Sequence, residues 1–216
     1  MDKKLQETEI VVVLDRSGSM RQIGEATVSG FNKFLDEQKN AEGKAFISLI
    51  QFDDRYETVY KSIPVNEANE LILGENFCPR GLTALLDAIG KTIEELKTDR
   101  DVVFVIITDG EENSSKTYKR EAIMKMIETQ TNEGWNFLFL AANQDAIKTG
   151  GSIGIKGGNS ITYVSNDSSV ENVFSSFSSN VSQYRKSKME FTGEDFSKIS
   201  KDLDFKEEQR KKSNKN

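Results

Sequence analysis

The chain has 216 residues, of which 36% are hydrophobic, and this is enough for one domain with a core of ordinary size. Its formal net charge of −6 and its pI near 5.0 argue against nucleic-acid binding, which relies on clustered Lys and Arg. The chain has no histidine and one cysteine, Cys78, which excludes a Ser-His-Asp or Cys-His mechanism, an internal disulfide and a typical zinc site.

The sequence has no feature that predicts export or membrane insertion. The N-terminal stretch MDKKLQETEI lacks the apolar segment of a secretion signal, and no run of about 18 apolar residues occurs. We therefore predict a soluble cytoplasmic protein without a membrane partner.

The first predicted elements alternate between strand and helix. Residues 9–14 are an apolar run typical of a buried strand, and Val28, Phe31 and Phe34 then recur at helical spacing. The stretches AFISLIQF and YETVYKSI alternate between apolar and polar residues around the turn sequence DDR. This pattern predicts a β-hairpin whose second arm is an edge of the sheet.

The next elements continue the alternation. NEANELIL is predicted as a short helix, GENFCPRG as a loop and residues 82–96 as an amphipathic helix. DVVFVIITDG repeats the opening pattern, an apolar strand that ends in Asp109. A helix near residues 120–129, the strand NFLFLAAN, a short helix from Gln144, the strand SITYV and a helix near residues 170–184 follow. This order predicts an α/β fold with a mostly parallel sheet and helices on both faces.

The composition changes after the last of these helices. We place one domain at residues 1–186 and a charged tail at residues 187–216, in which Phe191, Phe196 and Phe205 are isolated among polar residues. Such a segment buries little apolar surface, so we predict a mobile or loosely docked tail. A partner-binding segment is the alternative.

Two aspartates follow strands that we expect to be neighbours. Asp15 and Asp109 lie at carboxyl ends of predicted strands, where ligands of open parallel sheets bind, and Ser17 and Ser19 follow Asp15 at alternate positions. Carboxylates brought together repel unless a cation compensates, and a site made only of oxygen atoms suits Mg²⁺, Mn²⁺ or Ca²⁺. A helix cap at Asp15–Ser19 is the alternative interpretation. A cation with so few carboxylate ligands would keep affinity for a further anion, such as a partner's carboxylate.

These motifs resemble a known site. DRSGSM, GLTALLDAI and IITDGEEN are similar, in order and spacing, to the three parts of the metal-ion-dependent adhesion site of von Willebrand factor A (vWA) domains. The resemblance implies that Ser17, Ser19 and Thr83 contact the metal directly and that Asp15 and Asp109 act directly or through water. It also implies a doubly wound, Rossmann-like sheet of six strands in the order 3-2-1-4-5-6, with one antiparallel edge strand.

The threonine loop departs from the common pattern of this family. Relatives often have Gly-Gly-Thr, whereas this chain has RGLT, so Leu82 alters the approach of the backbone to the ion. Arg80 is unusual beside a cation site, and we interpret it as a residue that steers an acidic partner.

Three functions agree with this sequence. The first is a metal-dependent interaction module without enzymatic activity, which binds a partner's Asp or Glu through the cation. The resemblance implies a bacterial or phage protein that works with an AAA+ ATPase or a stress-resistance protein. The second is a phosphoryl-transfer enzyme of the haloacid dehalogenase type, although Ser17 replaces the second carboxylate that this chemistry uses. The third is a self-assembling structural protein with a vestigial metal site.

Overall fold

One six-stranded sheet organises the computed structural model of this protein, which describes residues 7–190 and 196–215. The strands lie in the order β3-β2-β1-β4-β5-β6, and only β3 is antiparallel to its neighbour. Their bounds are Thr8–Asp15 (β1), Ala45–Phe52 (β2), Tyr56–Pro64 (β3), Asp101–Thr108 (β4), Asn136–Ala142 (β5) and Ser160–Tyr163 (β6). The predicted hairpin, the antiparallel edge strand and the strand order are confirmed.

Seven α-helices occur in the described residues. Their bounds are Gly24–Asn40 (α1), Leu85–Glu95 (α2), Arg120–Asn132 (α3), Ala146–Gly151 (α4), Asp167–Glu190 (α5), Phe196–Ser200 (α6) and Glu207–Ser213 (α7). Short 3₁₀ helices cover Gly18–Ile23, Val65–Glu67, Gly157–Asn159 and Lys201–Leu203. None of the helices that the structure describes is both long and apolar enough to cross a bilayer.

Helices cover both faces of the sheet, as predicted. Alternate residues of β1 point to opposite sides, so that Ile10, Val12 and Leu14 join the core formed with α1 and α5. Val11 and Val13 join the second core, which α2, α3 and α4 complete. Because β1 is buried on both faces and paired on both edges, its end is a rigid platform for the loop that follows.

Two predicted helices differ in the structure. Of the helix predicted at NEANELIL, only a 3₁₀ turn at Val65–Glu67 forms. In the residues after this turn, side-chain amides bind backbone groups that a helix would pair internally. Asn32 accepts a hydrogen bond from the Leu71 amide and donates one to the Leu71 carbonyl. The helix predicted at residues 82–96 begins only at Leu85, because the Thr83 backbone is bonded to another loop.

The end of the chain is docked on the domain where the structure describes it. α5 continues through Glu190, past the predicted boundary at residue 186, and Phe205 is only 4% exposed. Arg210 of α7 donates hydrogen bonds to the carbonyls of Gly157, Gly158 and Ser160 beside β6. This docking differs from the mobile tail that the composition favours. Phe191 and the side chain of Phe196 lie outside the described residues.

Candidate metal centre

Asp15 ends the central strand β1 with a completely buried side chain. Its Oδ1 atom accepts a hydrogen bond of 2.6 Å from the Ser17 amide, and its Oδ2 atom accepts one of 2.6 Å from Thr108 Oγ1 at the end of β4. One oxygen is therefore held by the loop that carries Ser17 and Ser19 (the serine loop) and the other by the end of β4. These bonds fix the orientation of the carboxylate and the start of the serine loop.

Burial changes the acidity of both predicted aspartates. It raises the pKa of Asp15 to about 6, and the negative charge of Asp109 adds a smaller increase to this pKa. Burial also raises the pKa of Asp109, while a hydrogen bond from Ser19 opposes this increase. The unfavourable charge on these carboxylates is the electrostatic condition in which a nearby cation stabilises the site.

Four of the predicted ligands meet beside Gly110. Ser19 Oγ donates a hydrogen bond of 2.6 Å to Asp109 Oδ1 and lies 3.1 Å from Ser17 Oγ. A Cβ atom built on Gly110 would lie 3.0 Å from Thr83 Oγ1, 3.5 Å from Ser19 Oγ and 3.8 Å from Ser17 Oγ. The three hydroxyls therefore lie together beside Gly110, and a side chain at this position would press on Thr83 Oγ1.

Thr83 reaches this point through a contact that the sequence did not predict. Asn113 Oδ1 accepts a hydrogen bond of 2.9 Å from the Thr83 amide, and the Asn113 amide donates one of 3.1 Å to the Thr83 carbonyl. These two bonds join the Thr83 loop to the loop that carries Asp109. The only signal in the sequence is weak, since Asn113 is one polar residue among several in TDGEEN.

A second pair of contacts attaches the Asp109 loop to helix α2. Glu112 Oε2 accepts a hydrogen bond of 2.8 Å from the Leu86 amide in the first turn of α2. In return, Asp87 of α2 accepts hydrogen bonds from the amides of Lys116, Thr117 and Tyr118. Carboxylates satisfy amides that would otherwise lack partners, so the loop after β4 is fixed to the start of α2.

Two arginines attach neighbouring loops to the β2–β3 turn: Arg16 from the serine loop and Arg80 from the loop that carries Thr83. Asp53, which is completely buried, accepts hydrogen bonds from Arg16 Nε at 3.0 Å and Arg80 Nε at 2.9 Å on the same oxygen, Oδ2. Arg16 is also buried and bonds Glu57 at 2.7 Å. Arg80 is thus a structural residue, while the steering role that the sequence suggested stays a prediction.

The arrangement suits a hard divalent cation. It offers two carboxylates and three hydroxyls, all oxygen ligands, and the described residues contain no group of three or more His, Cys, Asp or Glu side chains that could hold a metal. Any metal bound here therefore depends on the hydroxyls of Ser17, Ser19 and Thr83. The structure brings the predicted residues together, while metal binding by them stays a prediction.

Comparison with solved structures identifies the fold. No family model and no curated protein matches the sequence. One match is proximal thread matrix protein 1 from the mussel byssus, in a structure whose metal-ion-dependent adhesion site (MIDAS) motif is occupied by zinc. It gives a TM-score of 0.58 at 15% identity over 78% of this chain and 44% of its own.

Two further structures match in the same way. A von Willebrand factor type A protein from Catenulispora acidiphila gives a TM-score of 0.57 at 13% identity over 82% of this chain and 43% of its own. The ArnB paralog VWA2 from Sulfolobus acidocaldarius gives 0.55 at 18% identity over 79% and 44%. This chain therefore spans less than half of each of these proteins. The strand order and these structural matches show that the chain has the von Willebrand factor A fold.

Proposed function

We propose that this protein is a metal-dependent protein-interaction module. A divalent cation would be held by Ser17, Ser19, Thr83 and Asp109, with Asp15 acting directly or through water. We expect Mg²⁺ first, with Mn²⁺ or Ca²⁺ as alternatives. The observation that carries this proposal is the meeting of three hydroxyls and the Asp109–Ser19 pair beside Gly110. Once bound, the cation would offer positive charge and a coordination position to an Asp or Glu of a partner protein.

Binding without catalysis fits the residues at this site. A phosphoryl-transfer enzyme of the haloacid dehalogenase type needs an acid–base group two residues after its aspartate, and this chain has Ser17 there. Ser17 Oγ lies 3.1 Å from another hydroxyl, Ser19 Oγ, which is no base. We therefore propose that the protein is not an enzyme. Hydrolysis of p-nitrophenyl phosphate in Mg²⁺ that is lost in Asp15→Asn would contradict this.

We also propose which kind of protein offers the partner Asp or Glu. The vWA resemblance of the sequence motifs suggests a cytoplasmic protein of bacterial or phage origin whose partner is an AAA+ ATPase or a stress-resistance protein. The third candidate, a self-assembling structural protein, requires no cation. Size-exclusion chromatography in Mg²⁺ and in EDTA separates the two functions, because self-assembly would persist in chelator without any acidic partner.

The proposal is tested in two steps with probes of known composition. Chelator-treated protein is first titrated with MgCl₂ or MnCl₂ while the melting temperature is followed. Metal at about ten times its dissociation constant should add about 1.4 kcal/mol of stability, a shift of roughly 3 to 6 °C. The protein is then applied to an array of peptides that each carry one Asp or Glu and no other charged side chain, in Mg²⁺ and in EDTA.

Two serine variants provide the comparison. Ser17→Ala should lose both the metal shift and the Mg²⁺-dependent peptide binding. Ser168→Ala should keep both, because Ser168 is exposed on α5. Potassium chloride at matched ionic strength controls for screening of a protein with a net charge of −6. Divalent ions that act no better than this salt, or a Ser17→Ala protein that responds like the wild type, would contradict the metal assignment.

A further inference from the structure

The Arg80 guanidinium is fixed in place but only partly used. Its Nε atom donates to Asp53 at 2.9 Å, and its side chain remains 47% exposed. Within residues 7–190 and 196–215, no hydrogen bond or ion pair of its two terminal amino groups is found. A guanidinium held through Nε keeps its end-on pair of donors, which match the two oxygens of a carboxylate.

Backbone contacts place Arg80 directly against the serine loop. The Arg80 amide donates a hydrogen bond of 2.8 Å to the Arg16 carbonyl, and the Gly18 amide donates one of 3.1 Å to the Gly81 carbonyl. The chain therefore runs beside Arg16–Gly18 and reaches Thr83 three residues after Arg80. A protein segment that binds at these hydroxyls and extends over residues 80–82 would come near this guanidinium.

The two arginines that bind Asp53 differ in exposure. Arg16 is 4% exposed and directs its guanidinium to Asp53 and Glu57. Glu57 is thereby engaged by a buried arginine. Arg80 shares Asp53 Oδ2 with Arg16 through its Nε atom, so this contact leaves the terminal donors of the exposed guanidinium available for a further carboxylate.

We infer that the partner segment carries two acidic side chains, one for the metal and a second for the end-on donors of Arg80. This inference rests on the proposed function and specifies its partner as a diacidic segment with a fixed spacing. The metal alone would accept any exposed Asp or Glu, whereas the second contact selects among acidic segments. Arg80 is therefore a specificity-determining residue as well as an anchor of its own loop.

The test compares matched peptides in Mg²⁺. Each peptide that carries one Asp is compared with versions that carry a second Asp, or Asn as its neutral counterpart, at each nearby position. For the wild type we expect one spacing at which the second Asp improves affinity roughly threefold to tenfold over Asn. In Arg80→Gln this ratio should fall to near one, whatever the change in affinity for the single-Asp peptide, because both peptides are measured on the same variant.

A matched variant controls for net charge. Lys44→Gln removes one positive charge at a side chain that is 80% exposed, before β2 at the opposite end of the strands, and should keep the wild-type ratio. A wild type without any favoured second Asp, or an Arg80→Gln protein that keeps the preference, would overturn the inference while the proposed function stands. Absence of any Mg²⁺-dependent peptide binding would overturn both.

Discussion

Asp15 makes the stability of the metal-free protein depend on pH. Its pKa is about 6 in the folded state, against an ordinary value of 3.8, because burial disfavours the carboxylate. A raised acid pKa means that the folded state binds the proton more tightly than the unfolded state. The stabilisation is fully present below pH 3.8 and is lost as the pH rises through about 6. A shift of this size corresponds to about 3 kcal/mol.

The substitution Asp15→Asn should remove this dependence. The amide keeps an oxygen for the Ser17 amide but carries no charge, so in EDTA at pH 8 the variant should be more stable than the wild type by up to about 3 kcal/mol. Near pH 4 the difference should vanish, because the wild-type carboxyl is then protonated. Urea unfolding at both pH values measures this. A variant that is equally destabilised at both would show that Asp15 supports the fold through its hydrogen bonds alone.

Asn113 acts on the site through Thr83, so its replacement should weaken metal binding more than folding. Without its side chain the Thr83 amide loses its acceptor, and only the bond from the Asn113 backbone amide still holds the threonine beside Gly110. Loss of such supporting contacts typically lowers metal affinity about 10- to 100-fold. In Asn113→Ala, the melting shift at a metal concentration sufficient for the wild type should therefore fall to about a third or less.

The conservative variant separates positioning from general destabilisation. Asn113→Asp retains an oxygen acceptor for the Thr83 amide and should keep most of the metal response. If Asn113→Ala responds to Mg²⁺ like the wild type, the contact has no role in positioning Thr83. The melting temperatures of both variants in EDTA show how much of any change belongs to the fold itself.

At the scale of elements, loops override helical periodicity where they serve the site. Leu82 fits the apolar face of the helix predicted at residues 82–96, yet it is 56% exposed, and α2 begins only at Leu85. Because Asn113 bonds both the amide and the carbonyl of Thr83, the chain before α2 follows the loop after β4. Periodicity reports which residues can form a helix and carries no information about such contacts between distant loops.

The chain from Ile199 to Phe205 contributes to the core, and Phe205 tests this. Its ring is 4% exposed in the core shared with α5, so Phe205→Ala should destabilise the protein by about 3 kcal/mol or more. For a chain of this size the melting temperature should fall by roughly 6 to 12 °C. Lys212→Ala, which removes an exposed side chain of α7, is the matched control and should change it little. Equal melting temperatures for Phe205→Ala and wild type would instead support the mobile or loosely docked tail that the composition predicts.

At the scale of the whole molecule, one cation would connect three separate loops. They follow β1, precede α2 and follow β4, and all three come together at the candidate centre. Metal binding should therefore slow amide hydrogen exchange in all three loops together and leave β6 and α7 unchanged. Exchange measured by mass spectrometry in Mg²⁺ and in EDTA checks this. Protection confined to the serine loop would indicate a simpler site that does not include Thr83 or Asp109.

The fold was predictable to a large extent because it depends on strand burial and order. The apolar runs before Asp15 and Asp109 identify the two central strands, and the paired pattern around DDR identifies the edge. The residues that meet at the centre followed from the three motifs. The contacts of Asn113, Glu112 and Asp53 did not, because hydrogen bonds between loops leave no periodic pattern. The docking of Phe205 was missed because a few apolar residues in a charged segment resemble a solvated tail.

The cover that α7 gives to β6 limits how copies of this protein can join. Arg210 occupies the carbonyl of Ser160, and the Val164 amide donates to the Ser213 carbonyl, so hydrogen-bonding groups along this border are already used. The opposite border, β3, ends the sheet with exposed and half-exposed residues. A sheet with one open border can add one neighbour through that border and then offers no other. For the part of the chain that the structure describes, growth by strand pairing through β3 would stop at a pair, which disfavours fibres built by continuing the sheet.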